Sequence, residues 1–277
     1  MSAEPIDLRL DAQRPPDPAV RRLSIWSGPR NVSTALMYAF RQRSDAVVFD
    51  EPLYGHYLAT HAAVDHPGRD EVLDAMDTVG QRVVERTLLG DAPPAGPGTT
   101  GYAQRGRPGE IPPGTTLRVY KNMAHHMRVL SPGFLRHLEH ALLTRDPHEM
   151  LPSLAKKMPE PTLADTGLGE QAALLSRELS EGRTPVVLDA TRLLRDPEGV
   201  LKRACEAWGI AWEPAMLSWP AGPKPEDGVW ARHWYANVHR STGFEPYRPS
   251  DEPFPERLKP LLEASLPLYE FIAKHAI

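Results

Sequence analysis

Short apolar runs of four or five residues recur along this chain, each ending in a polar cluster and most of them followed by helical spacing. Leu23–Trp26 ends in Ser27-Gly28-Pro29 and leads into the helical pattern Val32–Arg43, while Ala46–Phe49 ends in Asp50-Glu51-Pro52. Thr116–Tyr120 stops at Lys121, and His140–Leu143 enters Thr144-Arg145-Asp146-Pro147 and a helix through about Lys157. Pro185–Leu188 is another such run, and Pro197–Trp208 reads as a helix closed by Gly209. Asp70–Leu89, Leu168–Leu179 and Glu256–His275 carry helical spacing too, whereas Trp219–Tyr247 is irregular and aromatic-rich. Apolar runs alternating with helices predict an α/β fold, with a mostly parallel central sheet and helices on both faces. In such sheets ligands bind beyond the carboxyl ends of the strands, which is where the polar clusters fall.

The pattern divides the chain simply. Residues 1–20 are polar and proline-rich and read as a flexible leader; 21–277 read as a single domain carrying a Pro/Gly-rich loop at 91–114. Composition changes this picture little. A net charge of −4 gives no bulk attraction to nucleic acid or an anionic membrane, although a local anion site needs only a few donors. The leader lacks a signal-peptide core and no apolar run is of spanning length, so the expected location is the cytoplasm, without a membrane partner. One cysteine, Cys205, permits neither an internal disulfide nor a thiolate cage and reads as a buried helix residue. Nothing in the pattern specifies an oligomeric state.

Two polar clusters are suited to anions. At Ser27-Gly28-Pro29-Arg30-Asn31-Val32-Ser33-Thr34 a strand, a tight turn and a helix N-terminus present unpaired backbone N–H groups. Arg30 adds a guanidinium, and Ser33 and Thr34 add hydroxyls. The second glycine and the lysine of a Walker A loop are absent, which disfavours a magnesium-bound triphosphate. The plainer alternative is a helix capped by Asn31 or Ser33. In the second cluster Arg145 ends a strand, Asp146 and Pro147 open a helix, and Ser153 follows two turns on; its plainer alternative is an Arg–Asp surface pair. Two anion-ready strand ends suit a ligand with phosphate at two places.

These motifs resemble those of the sulfotransferases that use 3′-phosphoadenosine-5′-phosphosulfate (PAPS), in their bacterial branch. The loop with Ser33-Thr34 resembles their 5′-phosphosulfate loop, and Arg145-Asp146-Pro147 with Ser153 resembles their 3′-phosphate motif. Leu188-Asp189 through Ala207-Trp208-Gly209-Ile210 is similar to a later family segment. The resemblance implies a P-loop NTPase-like three-layer sandwich, PAPS as co-substrate, no metal, and a small-molecule acceptor with a hydroxyl or amine. It implies that Arg30, Asn31, Ser33 and Thr34 hold the 5′-phosphosulfate and that Arg145 and Ser153 hold the 3′-phosphate. Gly222–Trp230 echoes the family's C-terminal loop, implying nucleotide contacts from Lys224 and Trp230, with Arg232 and Arg240 as rivals for the third grip on the 3′-phosphate.

Sulfuryl transfer needs a base for the acceptor and donors for the leaving phosphate. By the same resemblance Lys121 matches a lysine that follows a strand. Glu51, in its "EP" step, and His125 stand level as the base, ahead of Asp50 and His126. His56, His61 and His66 are five apart, a spacing that does not suit a helical zinc site. Two other readings remain: a nucleotide or small-molecule kinase on a P-loop scaffold, and a non-catalytic nucleotide-binding protein.

Overall fold

The computed structural model describes residues 18–61, 66–90 and 111–277. Most of the expected leader (1–17) and of the Pro/Gly-rich loop (91–110) therefore lies outside the described residues. Five strands, β1 (Arg21–Ser27), β2 (Ala46–Asp50), β3 (Leu117–Met123), β4 (Glu139–Thr144) and β5 (Val186–Asp189), pair in parallel in the order β2-β3-β1-β4-β5. The helices are, in chain order, α1 (Ser33–Arg41), α2 (Tyr54–Thr60), α3 (Arg69–Ala75), α4 (Gly80–Val83), α5 (Pro147–Ala155), α6 (Leu163–Thr166), α7 (Leu168–Ser180), α8 (Ala190–Arg195), α9 (Pro197–Trp208), α10 (Ala231–Trp234) and α11 (Lys259–Ala273).

The strands are buried on both faces because successive side chains point to opposite sides and each side has its own helical layer. Leu23, Ile25, Val48, Ala141 and Leu188 pack with Leu36 of α1, Leu193 of α8 and Leu201 of α9. The alternate positions Trp26, Phe49, Leu142 and Val187 pack with Leu151 of α5, Leu175 of α7 and Leu262 of α11. The result is the expected three-layer α/β architecture. A smaller cluster of Tyr54, Tyr57, Val72, Trp230 and Tyr235 sits apart from both layers.

Helix ends follow local chemistry. Asp146, Asp189 and Asp196 each accept from a first-turn backbone N–H of α5, α8 and α9, and Gly209 closes α9 with φ 62°. α1 departs from the expected cap. Its N-cap is Val32, with no side-chain hydrogen bond, so neither Asn31 nor Ser33 closes it.

Two further expectations are corrected. The helix expected over Asp70–Leu89 is broken between α3 and α4, where Asp77 accepts from Val79 N at 2.9 Å and pairs with Arg82. That Asx turn competes with the helix ladder, and the chain resumes through α4 into a π-helical turn, Val84–Leu88. β3 also runs three residues beyond Tyr120, because Lys121, Asn122 and Met123 still pair with Ile25, Trp26 and Ser27.

Since all five strands are parallel, their carboxyl ends share one edge of the sheet. β1 sits at its middle, and the chain leaves toward β2 on one side and β4 on the other, which makes this the switch point where a crevice opens. Gln171 of α7 straddles the β1 and β4 ends, donating to Trp26 O at 2.8 Å and Leu143 O at 2.9 Å. The central strands depend on close packing, so Leu142→Ala, at a fully buried position, is expected to destabilise the protein by about 2–5 kcal/mol. Urea unfolding monitored by circular dichroism measures the loss.

Candidate active site

A cavity of about 600 Å³ opens at the carboxyl edge. Strand order arranges its chemistry. Glu51 and Lys121 come from the ends of β2 and β3, the loop Arg30–Thr34 from β1, and Arg145 with Ser153 from β4 and α5. Neighbouring strands lie about 4.8 Å apart, so β3 and β4 are separated by roughly 10 Å across β1.

The loop after β1 is held in an unusual shape. Arg30 and Val32 have φ of 62° and 58°, the left-handed region that a β-branched valine rarely enters. Gly28 has no room for a side chain: a Cβ there would lie 2.6 Å from Thr166 O. Asn31 is buried, and its amide donates to Leu143 O at 3.1 Å, so its side chain ties the loop to β4. These restraints leave the first turn of α1 without a side-chain acceptor, facing the cavity with Ser33 and Thr34.

Arg30 does not stay with that turn. Its Nε donates to Ser153 Oγ at 3.0 Å, while Arg145 Nη1 donates to Arg30 O at 2.8 Å. Arg30, Arg145 and Ser153 thus form one group, and burial together with the Arg145 charge pushes the Arg30 guanidinium down from its ordinary value. Two guanidinium groups brought this close call for an anion between them. Glu149 supplies part of it, accepting from Arg145 Nη2 at 3.1 Å and also from Tyr247.

On the other side, Lys121 is about 1% exposed and donates to Asp50 Oδ1 at 3.0 Å, to Glu51 Oε1 and to Tyr235 Oη at 2.7 Å. Burial opposes the Lys121 charge, but the two carboxylates outweigh it and raise its pKa. Burial pushes Asp50 up, against the pull of Lys121. Adjacent residues on a strand point to opposite faces; φ of 44° at Glu51 turns the chain so that both carboxylates reach one ammonium. Glu51 Oε2 is left toward His126 Nδ1, 3.8 Å away.

His125 and His126 both line the cavity and are fully buried. Burial, then neighbouring imidazoles and cations, lowers His125 to about 3 and His126 well below its ordinary value, so both rings are neutral at pH 7. Each has an Nδ1 without a hydrogen-bond partner. His126 is stacked on Tyr54 at 4.8 Å between centroids. His56, His61 and His66 do not converge: their Nδ1 atoms meet Gly80 N, Tyr57 O and Tyr54 Oη respectively. Among the described residues no group of three or more His, Cys, Asp or Glu is placed to hold a metal ion, and no helix is long and apolar enough to cross a membrane.

Of the sequence-predicted residues, Glu51, Lys121, His125, Arg30, Asn31, Ser33, Thr34, Arg145, Ser153 and Trp230 all line the cavity. Lys224 is not among its lining residues. Its ammonium donates to Pro220 O and Gly222 O and lies over the Tyr38 ring, fastening its loop to α1. Trp230 donates to Tyr235 Oη at 3.1 Å and packs on Tyr54, on the Glu51 side of the cavity. Arg232 pairs with Glu71 and Arg240 with Asn237; the additional cation lining the cavity is Arg248. Tyr235, Gln171 and Arg248 were not singled out from sequence. Tyr235 and Arg248 lie in or beside the irregular segment, where no periodicity assigns a role.

The chain belongs to the sulfotransferase family, whose sulfotransferase-domain model matches residues 21–103 and 111–276. It is 39% identical over 251 residues to branched-chain-amino-acid aminotransferase-like protein 1 of Arabidopsis thaliana and 37% identical to protein 2 of the same plant. The match covers 90% of this chain and 41% of each relative, so the chain spans about two fifths of their length. Among solved structures it is similar to the sulfotransferase domain of the Synechococcus PCC 7002 olefin synthase, at 16% identity and a TM-score of 0.49, with 91% of this chain and 96% of that one covered. It is also similar to sulfotransferase STF9 of Mycobacterium avium, at 13% identity and a TM-score of 0.45, with 93% and 77% covered.

The neutral histidines carry a stability consequence. The folded value of His125 is depressed below its ordinary 6.5, so its contribution is whole above that pH and is lost as pH falls toward about 3. Between pH 7.5 and 5.0, His125→Gln is expected to lose about 2 kcal/mol less stability than the unaltered protein, measured by urea unfolding at both pH values.

Proposed function

We propose that the protein transfers a sulfuryl group from PAPS to a hydroxyl or amine of a small-molecule acceptor. The observation that carries this reading is the order of groups along the sheet edge: carboxylate and lysine over β2 and β3, an uncapped helix N-terminus over β1, two arginines and a serine over β4. A nucleotide with phosphate at both ends suits the last two sets, and an acceptor beside Glu51 would then face the transferring sulfur. The cavity volume is within the range of small-molecule sites.

In this reading the first turn of α1, with Ser33 and Thr34, donates to the 5′-phosphosulfate. Arg145, Ser153 and Arg30 take the 3′-phosphate, joined by Arg248. Glu51 Oε2 accepts the acceptor's proton as its oxygen or nitrogen bonds to sulfur. The sulfur–oxygen bond to the 5′-phosphate breaks, and the charge appearing on that phosphate lies at the positive end of α1. The products are the sulfated acceptor and adenosine 3′,5′-bisphosphate. Glu51 is favoured over His125 as the base, since a ring with a value near 3 holds a proton poorly at pH 7. The buried ammonium of Lys121 directs its three donors to Asp50, Glu51 and Tyr235, which supports a role in holding Glu51 rather than in touching the nucleotide. A kinase would require the phosphate-loop lysine that Arg30–Thr34 lacks.

Calorimetry with adenosine 3′,5′-bisphosphate tests the nucleotide assignment. Tight binding is expected, weakened about 10- to 100-fold in Arg145→Ala by the loss of charged hydrogen bonds. No heat with the bisphosphate, alongside tight magnesium–ATP binding, would overturn the reading in favour of a kinase. In Glu51→Gln, kcat should fall by about 100-fold or more while bisphosphate affinity stays within about threefold.

A further inference from the structure

Tyr235 is buried in the wall of the cavity, and its hydroxyl is the most connected polar atom there. It accepts from Lys121 Nζ at 2.7 Å and Trp230 Nε1 at 3.1 Å, and it lies 2.8 Å from both Asp50 oxygens. Thr34 of the phosphate loop lies close enough to influence it. The Lys121 ammonium also sits 5.1 Å from the centre of its ring. Facing this hydroxyl are therefore a lysine, two carboxylates (Glu51 Oε1 is 3.5 Å away), an indole and a threonine, drawn from β2, β3, α1 and the segment around α10. Glu51 itself is faced by Lys121, Asp50 and Tyr235, by His126 at 3.8 Å from its other oxygen, and by Tyr54 of α2.

We propose that Tyr235 is a positioning residue that divides Lys121 between Asp50 and Glu51 and ties this division to the phosphate loop through Thr34. The inference rests on the sulfotransferase reading for its chemistry. Lys121 has three N–H groups and three partners, so Glu51 keeps its share only while Asp50 is satisfied by other donors. Tyr235 is the strongest of these, with Gly228 N at 3.2 Å as the other. Removing the phenol leaves Asp50 short of a donor and deprives Lys121 of an acceptor. The ammonium then shifts toward Asp50, Glu51 loses its counter-charge, and its carboxylate binds a proton more readily. Thr34 gives the same hydroxyl a contact to the first turn of α1, so the residue proposed to hold the phosphosulfate and the proposed base share one anchor.

The test is the pH dependence of kcat in Tyr235→Phe. The acid limb, where Glu51 must be ionised, is expected to move up by about one pH unit, so that kcat at a pH on that limb falls about tenfold while bisphosphate affinity stays within about threefold. An acid limb that stays in place would overturn the proposal and reduce Tyr235 to packing. Should Tyr235→Phe fail to fold, 2,3-difluorotyrosine at position 235 keeps the shape while making the hydroxyl a better donor to Asp50 and a poorer acceptor for Lys121. The limb should then move down, and an unmoved limb again rejects the idea. A carbon-13 NMR titration of the Glu51 carboxyl needs no turnover. It should show the same displacements even if the unaltered protein proves not to transfer sulfuryl, which separates failure of the positioning role from failure of the enzymatic reading.

Discussion

An ammonium sealed from water between two carboxylates is the interaction around which the site is organised. Taken out of water, each of these charges is costly, and an ion pair in a low-dielectric interior persists only when its remaining hydrogen-bonding capacity is filled. Lys121 meets that condition with all three N–H groups engaged, and Asp50 meets it with Tyr235 and Gly228 N. Both Asp50 oxygens and Glu51 Oε1 are engaged, which leaves Glu51 Oε2 as the atom with spare capacity. It faces His126 across 3.8 Å rather than a donor at bonding distance.

The same edge of the sheet holds the opposite imbalance two strands away. Arg30 and Arg145 approach through Ser153 and a backbone carbonyl, with Glu149 supplying a carboxylate to Arg145 alone. The uncapped α1 adds partial positive charge between them and the carboxylate cluster. The strained loop makes this possible. Left-handed φ at Arg30 and Val32 costs of order 1–3 kcal/mol at each position, and a side-chain cap that would have relaxed the turn is absent. Packing of Thr166 over Gly28 and the Asn31 tie to Leu143 hold the loop there.

The architecture was legible because it depends on periodicity and punctuation. Apolar runs ending in Gly-Pro, Glu-Pro and Asp-Pro marked three of the five strand ends to within a residue, the run before Asp189 marked a fourth, and Gly209 and Asp146 marked helix limits by chemistry that acts locally. What depended on reach or on rare backbone was not legible. Arg30 was grouped with its sequence neighbours, but a long side chain carries its guanidinium to Ser153, 123 positions away. Asp50 stands behind Glu51 as the candidate carboxylate, but the left-handed turn at Glu51 brings both to Lys121, and nothing in Asp-Glu-Pro announces it. Lys224 matched a family loop by spacing, yet Tyr38 and two carbonyls hold it away from the cavity. Tyr235 was one aromatic among many in a segment without period.

The separation of charge across the cavity explains why a sheet edge, rather than a single loop, is needed for the proposed chemistry. In sulfuryl transfer a proton leaves on one side of the sulfur while negative charge accumulates on the other. If both groups sat on one loop, carboxylate and arginine would neutralise each other directly, as Arg145 and Glu149 do across a single helical turn. Placing Glu51 over β2 and Arg145 over β4 keeps them three strand spacings apart, roughly 14 Å at the backbone. The interval is occupied by Lys121, Tyr235 and the first turn of α1, which screen each pole with partners of their own. The sheet thus keeps the carboxylates and the arginines at opposite ends of the cavity, as the proposed chemistry requires.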